Sequence, residues 1–226
     1  MSILLHWEVR NMDERFQRLV DNLREANKEI PFHDSTQDVN KLSAIDKECI
    51  EKQATGAANK LVELFWQKKN APLRIGDMLD SLGFTVVLND SFNDDQLSGA
   101  LAINNSVDVE RFKKMIMLNT KDSTEHQRFT IAHELAHYIF DAVPEQKYYE
   151  AYYRTDEERN NEVREYRANK FAANLLMPAA IFVPRYRFVA GQLSDQRKVH
   201  IILSWDFGVS ITAIKKRIKE LNLGEK

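Results

Sequence analysis

Apolar residues near the N-terminus recur with helical spacing. Between residues 12 and 28 they fall at i, i+3, i+4 and i+7, which places them on one face and predicts an amphipathic helix. The pattern ends at Pro31, and the polar residues 31–43 predict a linker. The apolar stripe consists of Phe16, Leu19, Val20 and Leu23.

The middle of the chain has short runs of β-branched and apolar residues between turn residues. They predict three strands, over residues 84–88, 98–103 and 113–118, in a small and mostly antiparallel sheet. Helical spacing returns after the third strand, and this order of helices, sheet and helices predicts an α+β fold. Helices are predicted over residues 12–28, 44–67, 75–82, 124–140, 157–176, 195–205 and 211–221.

Length and composition limit the classes of protein that fit. The 226 residues suffice for a helical extension and linker, residues 1–42, and a domain, residues 43–226, that ends in a helical subdomain from about residue 192. The 32 basic and 34 acidic side chains argue against a protein that wraps nucleic acid by bulk charge. A single cysteine excludes an internal disulfide framework and a cysteine-rich metal site. No segment has the pattern of a signal peptide or a membrane span, so we expect a cytoplasmic protein.

The segment HELAH, residues 133–137, lies within the helix predicted over residues 124–140. Two histidines four positions apart share one helix face, where both imidazoles can reach one metal ion. Glu134 lies beside them, where a carboxylate can act as a general base. Imidazole ligands without any redox motif make zinc the expected metal. The neighbouring positions are mostly apolar, so we interpret the histidines as ligands rather than as surface side chains.

A catalytic zinc site usually has three protein ligands, so a third is expected downstream on another helix. Glu165 falls on the inward stripe of the helix predicted over residues 157–176. Asn169, one turn further, is either an acceptor that orients a ligand histidine or an amide that packs between helices. Other carboxylates lie nearer the helix start, where they commonly interact with the helix dipole: Glu157, Glu158 and Glu162.

Two motifs together resemble the ImmA/IrrE family of zinc metallopeptidases. They are RFTIAHELAHYIF, residues 128–140, and E-x-x-A-N-x-F-A-A-x-L-L-M-P, residues 165–178. The resemblance covers about residues 50–221. Many members of that family have a further histidine just after the first motif, where this chain has Phe140 and Asp141.

The resemblance implies a role for each matching residue. His133, His137 and Glu165 match the zinc ligands of the family, one Zn²⁺ per chain, and Glu134 matches its catalytic glutamate. The set resembles the two-histidine, one-glutamate site of thermolysin.

The resemblance also implies a narrow substrate. We expect an endopeptidase that cleaves a helix-turn-helix repressor of the Xre type, which relieves repression in a stress response or in mobile-element control. The alternative is a non-catalytic regulatory protein that keeps the fold and the metal and binds a repressor, an antitoxin or DNA.

The C-terminal residues 195–223 have the pattern of a helix-turn-helix, with Ser210 as the predicted N-cap of the last helix. This pair either contacts DNA or closes the peptidase core. Because the net charge is −2, we expect a protein as the main partner and any DNA contact to be local and secondary. The basic residues of the last helix are Lys215, Lys216, Arg217 and Lys219.

A peptidase also needs a donor for the tetrahedral oxyanion. The sequence offers four candidates for this donor and does not distinguish among them. They are Tyr166, Arg185, Tyr186 and His200.

Overall fold

The computed structural model describes residues 14–25, 38–66, 72–90, 97–104, 108–109, 113–142, 148–150 and 162–224. Within these ranges it has eight α-helices and one small mixed sheet, in the order helices, sheet, helices. The predicted α+β class is therefore confirmed.

Three α-helices precede the sheet in the part of the chain that the structure describes. Helix α1 covers residues 14–25, α2 covers Ala44–Phe65 and α3 covers Ile75–Ser81. Helix α2 begins where Ser43 and Asp46 form a capping box that satisfies two backbone amides of the first turn. A glycine with a φ of 72°, Gly83, follows α3 and turns the chain into the first strand.

The sheet contains the three predicted strands, each one residue later at both ends than expected. They are β1 (Thr85–Asn89), β2 (Gly99–Asn104) and β3 (Lys114–Asn119). A fourth strand that we did not predict, β4 (Tyr148–Glu150), lies at one edge. The order is β1-β3-β2-β4, in which β2 pairs antiparallel with both neighbours and β1 pairs parallel with β3.

Five helices follow the third strand in the described residues. Four of them were predicted, and the helix over residues 124–140 agrees at both ends. The exception lies between residues 179 and 192, where no helix was predicted. These helices are α4 (Thr124–Phe140), α5 (Glu162–Leu176), α6 (Ala179–Gln192), α7 (Gln196–Phe207) and α8 (Ile211–Glu220).

Helix α5 lies between α2 and α4, and α4 also packs on strands β2 and β3. The buried side chains of α4 and α5 join those of α2 in one apolar cluster. Helix α4 is consequently enclosed by protein on several sides, which fixes the position of the HELAH segment.

Helix α1 packs on this core rather than standing apart from it. Phe16 and Val20 are fully buried, and the ring of Phe16 stacks on Tyr138 of α4 with centroids 6.0 Å apart. Arg24 donates hydrogen bonds to the carbonyl oxygens of Tyr138 and Ile139. These contacts explain the amphipathic stripe, while the domain boundary at residue 42 stays a prediction.

None of the helices in the described ranges is both long enough and apolar enough to cross a bilayer.

Candidate metal centre

Helix α4 presents both histidines of the HELAH segment on one face. The helix begins at Ser123, whose hydroxyl accepts a hydrogen bond from the amide of His126, and the side chain of Asp141 lies at its other end. His133 is 14% exposed at its side chain, whereas His137 is 3% exposed. The outer imidazole can therefore contact a ligand while the inner one is held by protein.

Helix α5 brings Glu165 to the two imidazoles. The Nε2 atoms of His133 and His137 are 3.0 Å apart, and the Glu165 carboxylate oxygens lie 3.1 Å from the first and 3.4 Å from the second. Donor atoms about 2.1 Å from a tetrahedral ion stand about 3.4 Å from one another. The three side chains therefore fit one small divalent cation, and each offers a ligand atom within 4.8 Å of the others.

Each histidine is oriented through its other ring nitrogen. His137 donates from Nδ1 to Asp141, 2.7 Å away, and His133 donates from Nδ1 to the side-chain oxygen of Asn169, 3.2 Å away. Both Nε2 atoms therefore face Glu165, which is the arrangement that a metal requires. Of the two interpretations of Asn169, the contact favours orientation of a histidine.

The charges around His137 favour its protonated form in the metal-free protein. Burial alone would lower the pKa of His137, but hydrogen bonds to Asp141 and Glu165 and the charges of Asp141 and Glu134 outweigh it and raise the pKa to about 9. A metal that binds Nε2 has to displace this proton.

The two acidic groups beside the histidines are held in their charged forms. Burial opposes the ionisation of Glu165, but hydrogen bonds and charge from His133 and His137 outweigh it and keep its pKa well below the ordinary range. Burial likewise opposes the ionisation of Asp141, and its pKa is lowered by the hydrogen bond from His137 and by the charge of Arg167. Both carboxylates are anionic at neutral pH.

Glu134 is 4% exposed and follows His133 directly on α4. Its carboxylate is close enough to His137 to contribute to the raised pKa of that histidine. A buried carboxylate next to the candidate ligands suits a proton acceptor at a metal site. Its catalytic role stays a prediction.

Two residues of the site were not found from the sequence. Asp141 is 4% exposed and binds His137, and Arg167 of α5 binds its other oxygen at 2.5 Å. The available signal was the spacing, because Asp141 follows His137 by one helical turn. The alternative carboxylates Glu157 and Glu158 lie outside the described residues, and the side chain of Glu162 is not described either.

The four candidates for the oxyanion donor lie in different surroundings in the structure. Tyr166, next to Glu165, donates its hydroxyl to Glu51 of α2, while Arg185 binds Asp206 at 2.7 Å. Tyr186 is 7% exposed and belongs to the apolar core. The pKa of His200 is lowered by partial burial and by the charge of Lys215 of α8.

The C-terminal helix pair is packed on the core through a buried arginine. Arg217 is 4% exposed and donates to the carbonyl oxygen of Met177 and to the side chain of Asn174. It is therefore not part of an exposed basic face with Lys215, Lys216 and Lys219. Ser210 caps α8 as predicted.

Two comparisons with known proteins gave matches. A family model for Peptidase_M78, an IrrE N-terminal-like domain, matches residues 86–219. Among solved structures, the chain is similar to a Mycobacterium tuberculosis transcriptional regulator, with 20% sequence identity and a TM-score of 0.39. That match covers 90% of this chain and 51% of the regulator, so the chain spans about half of its length. No curated protein matches the chain.

The family match includes all of α4 and α5, and hence the histidines, Glu134 and Glu165. It extends over more than half of the chain. The chain therefore belongs to the Peptidase_M78 family of IrrE N-terminal-like domains, the ImmA/IrrE family that its two motifs resemble.

Proposed function

We propose that the protein is a zinc-dependent endopeptidase. The observation that carries this proposal is the convergence of His133, His137 and Glu165, whose ligand atoms lie within 4.8 Å of one another. Two imidazoles and one carboxylate form a ligand set typical of catalytic zinc sites, which keep a further position for water or substrate.

These three side chains would hold one Zn²⁺ per chain. Bound zinc supplies Lewis acidity toward a peptide carbonyl and toward water. Glu165 can bind a cation without first losing a proton, because its carboxylate is anionic at neutral pH. Asn169 and Asp141 keep the two imidazoles turned toward the same point, so little reorganisation is needed.

Glu134 is the residue to which we assign proton transfer. It accepts a proton from the water whose oxygen attacks the carbonyl carbon of the scissile bond. It then gives that proton to the nitrogen as the carbon–nitrogen bond breaks. Its burial favours this role, because a carboxylate away from bulk water meets less competition from solvent.

The substrate that we propose is a helix-turn-helix repressor of the Xre type. Membership of the ImmA/IrrE family supports this choice, because the resemblance of the two motifs to that family implies a repressor of this type as the substrate. Cleavage would relieve repression in a stress response or in mobile-element control.

The test combines zinc-loaded protein with a purified Xre-type repressor from the same organism. We expect discrete cleavage products by mass spectrometry. Glu134→Gln should lower the rate by at least about 100-fold while keeping one zinc ion per chain, because general-base catalysis contributes about that much. Glu63→Gln, an exposed position of α2, is the matched control and should cleave normally.

Two results would contradict the proposal. One is intact repressor after incubation with zinc-loaded protein, and the other is a Glu134→Gln variant that cleaves as fast as the wild type. A gel-shift assay with operator DNA and repressor identifies the non-catalytic alternative. Binding that persists both in Glu134→Gln and after metal chelation would favour a regulatory binding protein.

A further inference from the structure

A cavity of about 390 Å³ lies beside the metal centre, between helices α4, α5 and α8. Two of its lining residues touch a candidate ligand. Asn169 accepts the hydrogen bond from His133, and the ring of Phe129 lies 6.4 Å from the His133 ring, measured between centroids. The cavity therefore begins one side chain away from the metal centre.

Four polar residues of the cavity wall bind protein partners, while Glu125 and Lys216 of the wall are exposed to solvent. Lys170 contacts Glu220 at 3.0 Å, Arg217 contacts the other oxygen of Glu220 at 3.4 Å, and Tyr166 donates to Glu51. These pairs leave the apolar groups of the wall available to a ligand. The apolar lining residues are Phe129, Ala173, Met177, Val209 and Ala213.

We propose that this cavity is the pocket for a large apolar side chain of the substrate, such as leucine, methionine or phenylalanine, next to the scissile bond. The proposal rests on the endopeptidase function proposed above. The cavity volume falls within the range of ligand pockets, and an apolar wall favours an apolar occupant.

The proposal gives the C-terminal helix pair a role in specificity. Val209 and Ala213 come from the turn before α8 and from its first turn, so this pair forms one wall of the pocket. The opposite wall comes from Ala173 of α5, two turns after Glu165. Ala173 and Ala213 are half-buried, and larger side chains there would fill the pocket.

A binding experiment with two peptide hydroxamates tests the pocket without catalysis. The compounds differ only in the side chain beside the metal-binding group, which is isobutyl in one and methyl in the other. We expect zinc-loaded protein to bind the isobutyl compound about 10-fold to 100-fold more tightly by calorimetry, the range that apolar pockets give for a few methylene groups. Equal affinities would overturn the proposal.

Two variants fill the pocket from different helices. Ala213→Trp and Ala173→Leu should each reduce the preference for the isobutyl compound to less than about threefold, because the occupant loses its space. Ala180→Trp, at an exposed position of α6, is the matched control and should keep the preference. Thermal unfolding shows whether each variant is folded, and one folded filling variant that retains the full preference contradicts the pocket.

The outcomes separate this proposal from the endopeptidase function. Equal binding together with repressor cleavage refutes the pocket alone. Preferential binding of the isobutyl compound without cleavage of the repressor refutes the endopeptidase function and leaves an apolar ligand site beside the metal. Zinc-loaded protein that binds neither compound and cleaves nothing refutes both.

Discussion

His137 and Asp141 lie one turn apart at the end of helix α4, with Nδ1 of the imidazole 2.7 Å from the carboxylate oxygen. Arg167 of α5 binds the other oxygen of Asp141, so the aspartate joins the two helices that supply the candidate metal ligands. This contact fixes the ring of His137 with Nε2 toward Glu165. It also connects the protonation of His137 to the affinity for a metal.

We expect Asp141→Asn to weaken zinc binding by about 10-fold to 100-fold, because partners that orient a ligand histidine commonly contribute that much. Competition with a chelator of known affinity measures the effect. Asp206→Asn, which removes the carboxylate bound to Arg185, is the matched control and should leave zinc affinity unchanged. A folded Asp141→Asn variant with wild-type zinc affinity would contradict this role.

The raised pKa of His137 predicts how the stability of the metal-free protein depends on pH. The pKa is about 9 in the folded state and 6.5 in an ordinary histidine. A pKa raised by folding contributes stability that is fully present below about pH 6.5 and is lost as the pH rises through about 9. The difference corresponds to on the order of 3 kcal/mol.

Urea unfolding of metal-free protein between about pH 6 and about pH 9.5 should therefore show a falling free energy of unfolding. The His137→Gln variant should not show this fall in the free energy of unfolding. Zinc-loaded protein should not show it either, because the metal replaces the proton on His137. A free energy of unfolding that depends on pH identically in wild type and His137→Gln would refute the assignment.

Local pattern was sufficient to predict the helix that holds the histidines. Ser123 caps it, apolar residues surround the HELAH segment, and its predicted ends at residues 124 and 140 agree with the structure. The inward stripe of α5 singled out Glu165, and the structure brings it to His133 and His137. These features depend on helical periodicity, which a sequence displays directly.

Other features depend on tertiary contacts and were missed. Helix α6, which was not predicted, contains Pro184 and begins after Pro178. Pro178 lies at the N-cap, where no backbone donor is needed, and burial of Phe182 and Val189 offsets the hydrogen bond that Pro184 removes. The spacing of Asp141 from His137 was visible in the sequence, but its ion pair with Arg167 was not, because Arg167 comes from another helix.

The packing of α1 predicts that this helix stabilises the core. Phe16→Ala should lower the free energy of unfolding by about 3–5 kcal/mol, because it removes a fully buried ring that stacks on Tyr138. Arg18→Ala, on the exposed face of the same helix, should change it by less than about 0.5 kcal/mol. Equal effects of the two substitutions in urea unfolding would show that α1 does not pack on the core in solution.

Gly99 of β2 lies where the sheet meets helix α4. A Cβ atom there would overlap the side-chain methyl of Thr130 and stand 2.8 Å from the carbonyl oxygen of Met117. We expect Gly99→Ala to lower the free energy of unfolding by about 1–3 kcal/mol, because Thr130 is buried and the carbonyl of Met117 belongs to the backbone of β3. The strain should also displace α4 and weaken zinc binding.

Gly56→Ala in α2 is the matched control, since nothing lies within 4 Å of its Cβ position, and it should stabilise the protein by up to about 1 kcal/mol. If urea unfolding shows Gly99→Ala to be as stable as the wild type, the close packing of α4 on the sheet is wrong.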